Sequence, residues 1–119
     1  MDNKLKKVAI IGTGTMGTAL AHALCRTVDP REVVLTNRDL RKAERLAQEL
    51  GCSLAATNAE AAQQAEFVVY CIKPQFLGGV LEETAPCFSR AAEKKMHQII
   101  ISIAAGVDVE TYYRKMGLN

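Results

Sequence analysis

Residues Val8 to Gly17 read VAIIGTGTMG, a short apolar run that leads directly into three glycines spaced G-x-G-x-x-G. A helical pattern of apolar residues follows, from Thr15 to about Thr27. Glycines at this spacing, between a strand and a helix, are typical of a turn that binds the pyrophosphate of a dinucleotide. The alternative is a structural turn with incidental glycines. The strand before the motif and the helix after it favour the dinucleotide interpretation.

Each glycine has its own role in that interpretation. Gly12 allows the tight turn, Gly14 lets a phosphate approach the backbone because it has no Cβ, and Gly17 lets the helix pack closely on the strand. The pyrophosphate would accept hydrogen bonds from free N–H groups at the positive end of the helix dipole.

Composition limits the classes of protein that fit. The chain has 119 residues, of which 49% are hydrophobic and 24% charged, as in ordinary globular domains. A net charge of +2 gives no strong attraction to nucleic acid or to an anionic membrane. No apolar segment follows the first lysines as in a signal peptide, and the longest apolar stretch, Ile99 to Val107, is too short to span a bilayer. We expect one cytoplasmic domain over residues 1–119, without nucleic-acid or membrane partners.

The cysteines and histidines do not form a recognisable metal site. No two of the four cysteines form C-x-x-C, and no spacing matches a zinc pattern. His22 and His97 lie far apart in the sequence and receive no role. We expect free thiols and no metal.

Strand and helix patterns alternate along the chain, as an open parallel sheet requires. Strands are predicted at residues 8–11, 33–36, 54–57, 67–72 and 99–103. Helices are predicted at 15–27, 40–50, 59–65 and 108–116, with Asn58 as N-cap of the third, and a helical stretch over 75–95 is interrupted by Gly78, Gly79 and Pro86. Because parallel connections are right-handed, the predicted strand order is 3-2-1-4-5, a Rossmann-type doubly wound α/β sheet. Its ligand crevice lies where the order reverses, at the carboxyl ends of strands 1 and 4.

The end of strand 2 indicates which nicotinamide cofactor fits. An NAD-specific site places a carboxylate there for the ribose 2′-hydroxyl, whereas this chain has Asn37 and Arg38. A guanidinium binds a 2′-phosphate well, and Arg41 lies one helical turn further on. Asp39 either reaches a hydroxyl or, as we favour, begins the second helix. A charge-assisted bond of roughly 1.5–3 kcal/mol predicts that NADP(H) is preferred over NAD(H) by about one to two orders of magnitude.

The ends of strands 4 and 5 carry further candidates. Lys73 either approaches the ligand or, as we favour, faces solvent while Pro74 shapes the backbone. Small residues at 104–106 would let a flat ring lie against the backbone, and close packing alone is the alternative explanation for them. No pairing of nucleophile and base is visible, so the catalytic residues remain unknown. This fits hydride transfer, in which the cofactor supplies the chemistry.

These segments resemble the amino-terminal NADP-binding domain of the pyrroline-5-carboxylate reductase family. That family reduces the cyclic imine pyrroline-5-carboxylate to L-proline with NAD(P)H. The resemblance rests on IGTGTMG at 11–17, NR at 37–38, Asn58, CIKPQ at 71–75 and SIAAGV at 102–107. The combination of KPQ with IAAGV is much more specific than the glycines.

The resemblance implies an oxidoreductase of proline biosynthesis and a set of cofactor contacts. The pyrophosphate would lie among Ile11, Gly12, Thr13, Gly14, Thr15, Met16 and Gly17. The adenosine side would be held by Asn37, Arg38 and Asn58, and the nicotinamide half by Cys71, Ile72, Lys73, Pro74, Ala104 and Ala105. The run Tyr70-Cys71-Ile72 departs from the small apolar residues usual in the family, which affects the shape of the nicotinamide pocket.

The family continues into a helical domain that forms a homo-oligomer and completes the imino-acid pocket, whereas this sequence ends at Asn119. We therefore expect NADPH binding but little reduction of the imine by this polypeptide alone. The alternatives are another NADP-dependent reductase of similar fold, such as a deazaflavin-dependent or β-hydroxyacid type, and a stand-alone regulatory nucleotide-binding module. A purely structural interaction domain would leave the residues at the strand ends without a use.

Overall fold

Among the residues that the structure describes, five parallel strands form a sheet in the order β3-β2-β1-β4-β5, which confirms the predicted doubly wound topology. The computed structural model describes residues 5–93 and 99–102, with side chains described from 5 to 88. The strands are β1 Lys6–Ile11, β2 Val33–Thr36, β3 Ser53–Leu54, β4 Ala65–Tyr70 and β5 Ile99–Ser102. Ile11 lies opposite both Thr36 and Tyr70 in the register, so β1, β2 and β4 end at the same level.

Helices cover both faces of the sheet. They are α1 Thr15–Leu24, α2 Leu40–Leu50, α3 Asn58–Gln64 and α4 Pro74–Glu93. Along β1, Val8 and Ile10 belong to the hydrophobic cluster that includes α1 and α2 residues, while Ala9 and Ile11 belong to the cluster that includes α3 and α4 residues. Burial on both faces explains why the central strands are nearly continuous in apolar residues. No helix in the described part of the chain is long and apolar enough to cross a membrane.

The second helix begins and ends at the residues that the sequence indicates. The Asp39 carboxylate accepts a hydrogen bond from the backbone N–H of Arg41 at 3.2 Å, so Asp39 is the N-cap. Gly51 ends the helix with a left-handed backbone (φ 82°) and donates its N–H to the carbonyl of Ala47.

The predicted N-cap of the third helix was wrong by one residue. The Thr57 hydroxyl accepts a hydrogen bond from the N–H of Glu60 at 3.1 Å, and the Glu60 carboxylate accepts one from the N–H of Ala56 at 3.3 Å. This reciprocal arrangement makes Thr57 the cap. Asn58 is instead the first helical residue, and its amide donates to the Glu83 carboxylate of α4 at 3.2 Å.

Several element boundaries also differ from the prediction, including the start of β1, which lies at Lys6 instead of Val8. Helix α1 ends at Leu24 because the N–H groups of Arg26 and Thr27 bond to carbonyls three residues back, which tightens the last turn. Strand β3 contains only two residues, and β4 runs from Ala65 to Tyr70 instead of 67–72. The predicted final helix and the last residue of the predicted fifth strand lie outside the described residues.

Helix α4 continues through Gly78, Gly79 and Pro86, although the sequence predicts interruptions at all three. Leu77, Leu81 and Phe88 are buried against the sheet, and this packing offsets the helix-breaking cost of roughly 3 kcal/mol for an internal proline. The fully buried hydroxyls of Tyr70 and Thr84 lie 2.7 Å apart, which ties α4 to the end of β4.

Candidate functional site

The glycine turn joins the end of β1 to the start of α1. Gly12 has φ 101°, a backbone conformation that side-chain-bearing residues rarely adopt. A Cβ at Gly12 would overlap the carbonyl oxygen of Cys71, and a Cβ at Gly17 would overlap the carbonyl oxygen of Gly12. A Cβ on Gly14 would meet nothing within 4 Å. Two of the three glycines are therefore required by packing, and the third borders open space.

The amino terminus of α1 has unused hydrogen-bonding capacity. Its N-cap is Gly14, which has no side chain to bond the first N–H groups, and no acidic residue lies in the first turn. The Thr13 side chain is buried, and its hydroxyl oxygen has no hydrogen-bond partner among the described residues. Exposed Thr15 and Met16 form the first turn, and Met16 is 60% exposed. A pyrophosphate fits this cradle because it supplies the negative charge and the acceptor oxygens that these groups lack.

The end of β2 is fixed to the glycine turn by Asn37. Its amide oxygen accepts a hydrogen bond from the N–H of Thr13 at 3.0 Å, and its amide nitrogen donates to the carbonyl of Asp39 at 3.1 Å. The side chain of Asn37 therefore braces two loops. Arg38 follows with an exposed side chain, and its guanidinium carbon lies 5.7 Å from the ring centre of Phe76.

The end of β4 forms the other wall of the crevice. The N–H of Cys71 donates to the carbonyl of Ile11 at 2.8 Å, which extends the contact between β1 and β4 past the last strand residue. Cys71 and Ile72 are half-buried, and both lie against Gly12. Lys73 is exposed, and its carbonyl accepts the N–H groups of Phe76 and Leu77. Pro74 is the first residue of α4, where its missing N–H costs no helical hydrogen bond.

Burial changes the chemistry of one thiol at this wall. Desolvation raises the pKa of Cys71 from 9.0 to about 11, so at neutral pH its side chain is an apolar thiol. Cys71 therefore contributes a neutral surface beside the glycine turn.

The structure brings together the candidates from residues 11–17, 37–38 and 71–74 at the carboxyl edge of three adjacent strands. Asn58 begins α3 and is engaged with Glu83. Ala104 and Ala105 lie outside the described residues. Sequence reasoning missed Phe76, a half-exposed aromatic side chain in the first turn of α4. One indication of this residue was visible in the sequence, since Phe76 is a large apolar residue directly after the KPQ motif at 73–75. No group of three His, Cys, Asp or Glu side chains able to hold a metal occurs among the residues described.

The fold and the glycine cradle define a Rossmann-type dinucleotide-binding domain. Residues 7–106 match the family model described as NADP oxidoreductase coenzyme F420-dependent, and the chain belongs to that family.

Similar proteins include several pyrroline-5-carboxylate reductases, as the motifs indicated. The chain is 32% identical over 111 residues to pyrroline-5-carboxylate reductase 3 of Rattus norvegicus, covering 89% of this chain and 37% of that protein. A solved pyrroline-5-carboxylate reductase from Coxiella burnetii is 27% identical with a TM-score of 0.81, covering 96% of this chain and 41% of that one. The Plasmodium falciparum pyrroline carboxylate reductase, solved with NADP bound, is 21% identical with a TM-score of 0.74, covering 95% and 39%. The chain thus spans about two-fifths of the length of these proteins.

Proposed function

We propose that residues 1–119 are the NADP(H)-binding domain of a pyrroline-5-carboxylate reductase. The observation that carries this proposal is the open amino terminus of α1, where Gly14 borders empty space and the Thr13 hydroxyl has no partner among the described residues. The similarity to the rat and Coxiella reductases supports the choice of enzyme. When bound, the cofactor supplies a hydride to the carbon of the cyclic C=N bond, and a proton reaches the nitrogen to give L-proline.

The residues of the chain bind and orient the cofactor in this proposal. The turn at 11–17 holds the pyrophosphate, Arg38 holds the 2′-phosphate, and Cys71 to Pro74, together with Ala104 and Ala105, line the nicotinamide half. Asn37 acts mainly as a brace, because both polar ends of its amide are already bonded to backbone. One N–H of the Asn58 amide is bonded to Glu83, so Asn58 would contact the adenosine side through its amide oxygen or its second N–H.

The preference for NADP(H) over NAD(H) depends on Arg38. No carboxylate accepts a hydrogen bond from its guanidinium among the described contacts, and the side chain is exposed next to the glycine turn. The description of the matched family as an NADP oxidoreductase supports this choice of cofactor. A single charge-assisted contact predicts a preference of about 10- to 100-fold, from roughly 1.5–3 kcal/mol.

The direct test is calorimetric titration of the 119-residue chain with NADPH and NADH. We expect tighter binding of NADPH, and Arg38→Ala should remove most of the difference while leaving the NADH affinity nearly unchanged. Arg45→Ala is the matched control, because this exposed arginine lies further along α2. Equal affinities for the two cofactors in the unmodified chain would contradict the role of Arg38.

We propose further that this chain alone reduces the imine poorly, because it spans only about two-fifths of the matched reductases. Proline formation by the isolated polypeptide at ordinary enzymatic rates would contradict this. The complete enzyme would act on a small imino acid as a homo-oligomer. The four free thiols suit a reducing cytoplasm.

A second candidate is a reductase that exchanges hydride between NADP and coenzyme F420. The description of the matched family favours it. The complete gene product should be assayed for NADPH oxidation with pyrroline-5-carboxylate and with F420 in parallel. Turnover with F420 alone would favour this second candidate.

A further inference from the structure

Arg38 and Phe76 contact each other at the surface, and neither side chain is part of the buried core. Phe76 is 50% exposed in the first turn of α4, and Arg38 is exposed after β2. Their elements follow the two strands that flank β1 in the sheet. The distance of 5.7 Å between the guanidinium carbon and the ring centre shows that the two side chains meet across the end of β1, next to the glycine turn.

We infer that Phe76 is an adenine-stacking residue, with the base held between the phenyl ring and the guanidinium of Arg38. This inference rests on the proposed function and adds to it a residue that recognises the base itself. A purine between two flat groups needs a separation of about 7 Å, twice an ordinary contact of roughly 3.5 Å. The observed 5.7 Å therefore has to widen by only about 1.3 Å, which two exposed side chains can accommodate by small rotations.

The chemistry of both partners suits this task. A phenyl ring stacks on any purine, and a guanidinium stacks on the opposite face while its N–H groups still reach a neighbouring phosphate. In the free chain the guanidinium lies within cation–π range of the ring, which keeps the two groups beside the crevice. Binding of the base would replace this single cation–π contact by two stacked contacts.

A competing explanation is that Phe76 only positions Arg38 for the 2′-phosphate. The two explanations predict different patterns of affinity. A stacking residue affects every adenine nucleotide equally, whereas a residue that acts through Arg38 affects only those carrying the 2′-phosphate.

The experiment measures the affinity of the 119-residue chain for NADPH, NADH and adenosine 2′,5′-bisphosphate with Phe76→Leu. We expect all three to weaken by a similar factor of about 5- to 100-fold, which corresponds to about 1–3 kcal/mol for one stacked base. The control is Phe67→Leu, because Phe67 also lies near a cation, with Lys7 at 5.3 Å, but is in the first half of β4. That variant should leave the three affinities unchanged.

A second variant gives a spectroscopic readout. The chain contains no tryptophan, so Phe76→Trp introduces a single indole that reports on its own surroundings. Its fluorescence should be quenched by adenosine 2′,5′-bisphosphate, which carries the adenine but no reduced nicotinamide to absorb the indole emission; unchanged fluorescence on binding of this nucleotide would contradict stacking.

The outcomes separate the two levels of the proposal. Failure of the unmodified chain to bind any of these nucleotides would overturn the proposed function together with this inference. Normal binding by the unmodified chain, with no loss in Phe76→Leu, would overturn the inference alone. A loss confined to the 2′-phosphorylated nucleotides, or an equal loss in Phe67→Leu, would also overturn it.

Discussion

Replacing Gly12 by alanine should destabilise the domain much more than the same change at Gly51. Both glycines have a positive φ, 101° at Gly12 and 82° at Gly51. They differ in their surroundings, because a Cβ at Gly12 would overlap the carbonyl oxygen of Cys71, whereas a Cβ at Gly51 would lie 3.8 Å from the Cβ of Pro30. The pair therefore separates the cost of the backbone conformation from the cost of the overlap.

The magnitudes follow from these two terms. A left-handed backbone costs a residue with a side chain about 1–2 kcal/mol, and this is the whole effect expected for Gly51→Ala. Overpacking adds about 1–3 kcal/mol, so Gly12→Ala should lower the free energy of unfolding by about 2–5 kcal/mol. Gly14→Ala should cost less than about 1 kcal/mol, since Gly14 has an ordinary φ of −72° and open space around it.

Urea unfolding followed by far-ultraviolet circular dichroism measures these differences, provided that the slope with urea is unchanged. Titration with NADPH adds a second comparison, because Gly14→Ala should weaken binding although it leaves stability nearly intact. Equal destabilisation by the changes at Gly12 and Gly51 would refute the argument that the Cys71 carbonyl closes the space beside the turn.

Three further predictions concern the described core and surface. Tyr70→Phe and Thr84→Val should each lower the free energy of unfolding by about 1 kcal/mol. The double variant should lower it by less than the sum of the two single variants, because the two hydroxyls share one 2.7 Å hydrogen bond. Urea unfolding of the two single variants and the double variant checks this. Cys71 should react with iodoacetamide at pH 8 about a hundred times more slowly than a thiol of pKa 9.0, because its pKa of about 11 leaves little thiolate. Peptide mapping by mass spectrometry measures the rate of labelling. Rapid labelling would contradict the burial of this thiol. The hydrogen bonds from Arg31 lower the pKa of Asp29 from 3.8 to about 2. The contribution of these hydrogen bonds to stability is therefore fully present above pH 3.8 and is lost as the pH falls through about 2. In an NMR titration, Arg31→Ala should return the pKa of Asp29 towards 3.8.

The order of the strands and the position of the crevice could be predicted from the sequence because they depend on local patterns. Apolar runs that become strands, glycine or proline at their ends, and the near-obligatory right-handed crossover leave few topologies for a chain of this kind. The same holds for Asp39 as a cap and Gly51 as a stop, since both act through hydrogen bonds within a few residues.

Other features depended on contacts between residues distant in the sequence. Continuation of α4 through Pro86 depends on packing against the sheet, and a propensity pattern does not contain that contribution. The cap of α3 at Thr57 is a local exception, because Glu60 bonds to Thr57 and Ala56 only three and four residues before it, and the T-x-x-E spacing is visible in the sequence. The bracing role of Asn37 and the meeting of Arg38 with Phe76 follow from the adjacency of β2, β1 and β4, which brings together side chains far apart along the chain.

The amino-acid sequence by itself determined the class of fold and the edge of the sheet at which a nucleotide would bind, because glycine spacing and apolar periodicity act over a few residues. Only the tertiary structure decided which side chains at that edge are already engaged and which are free for a ligand. Hydrogen-bond partners and burial depend on atoms from several strands at once, and no single segment of the sequence carries that information.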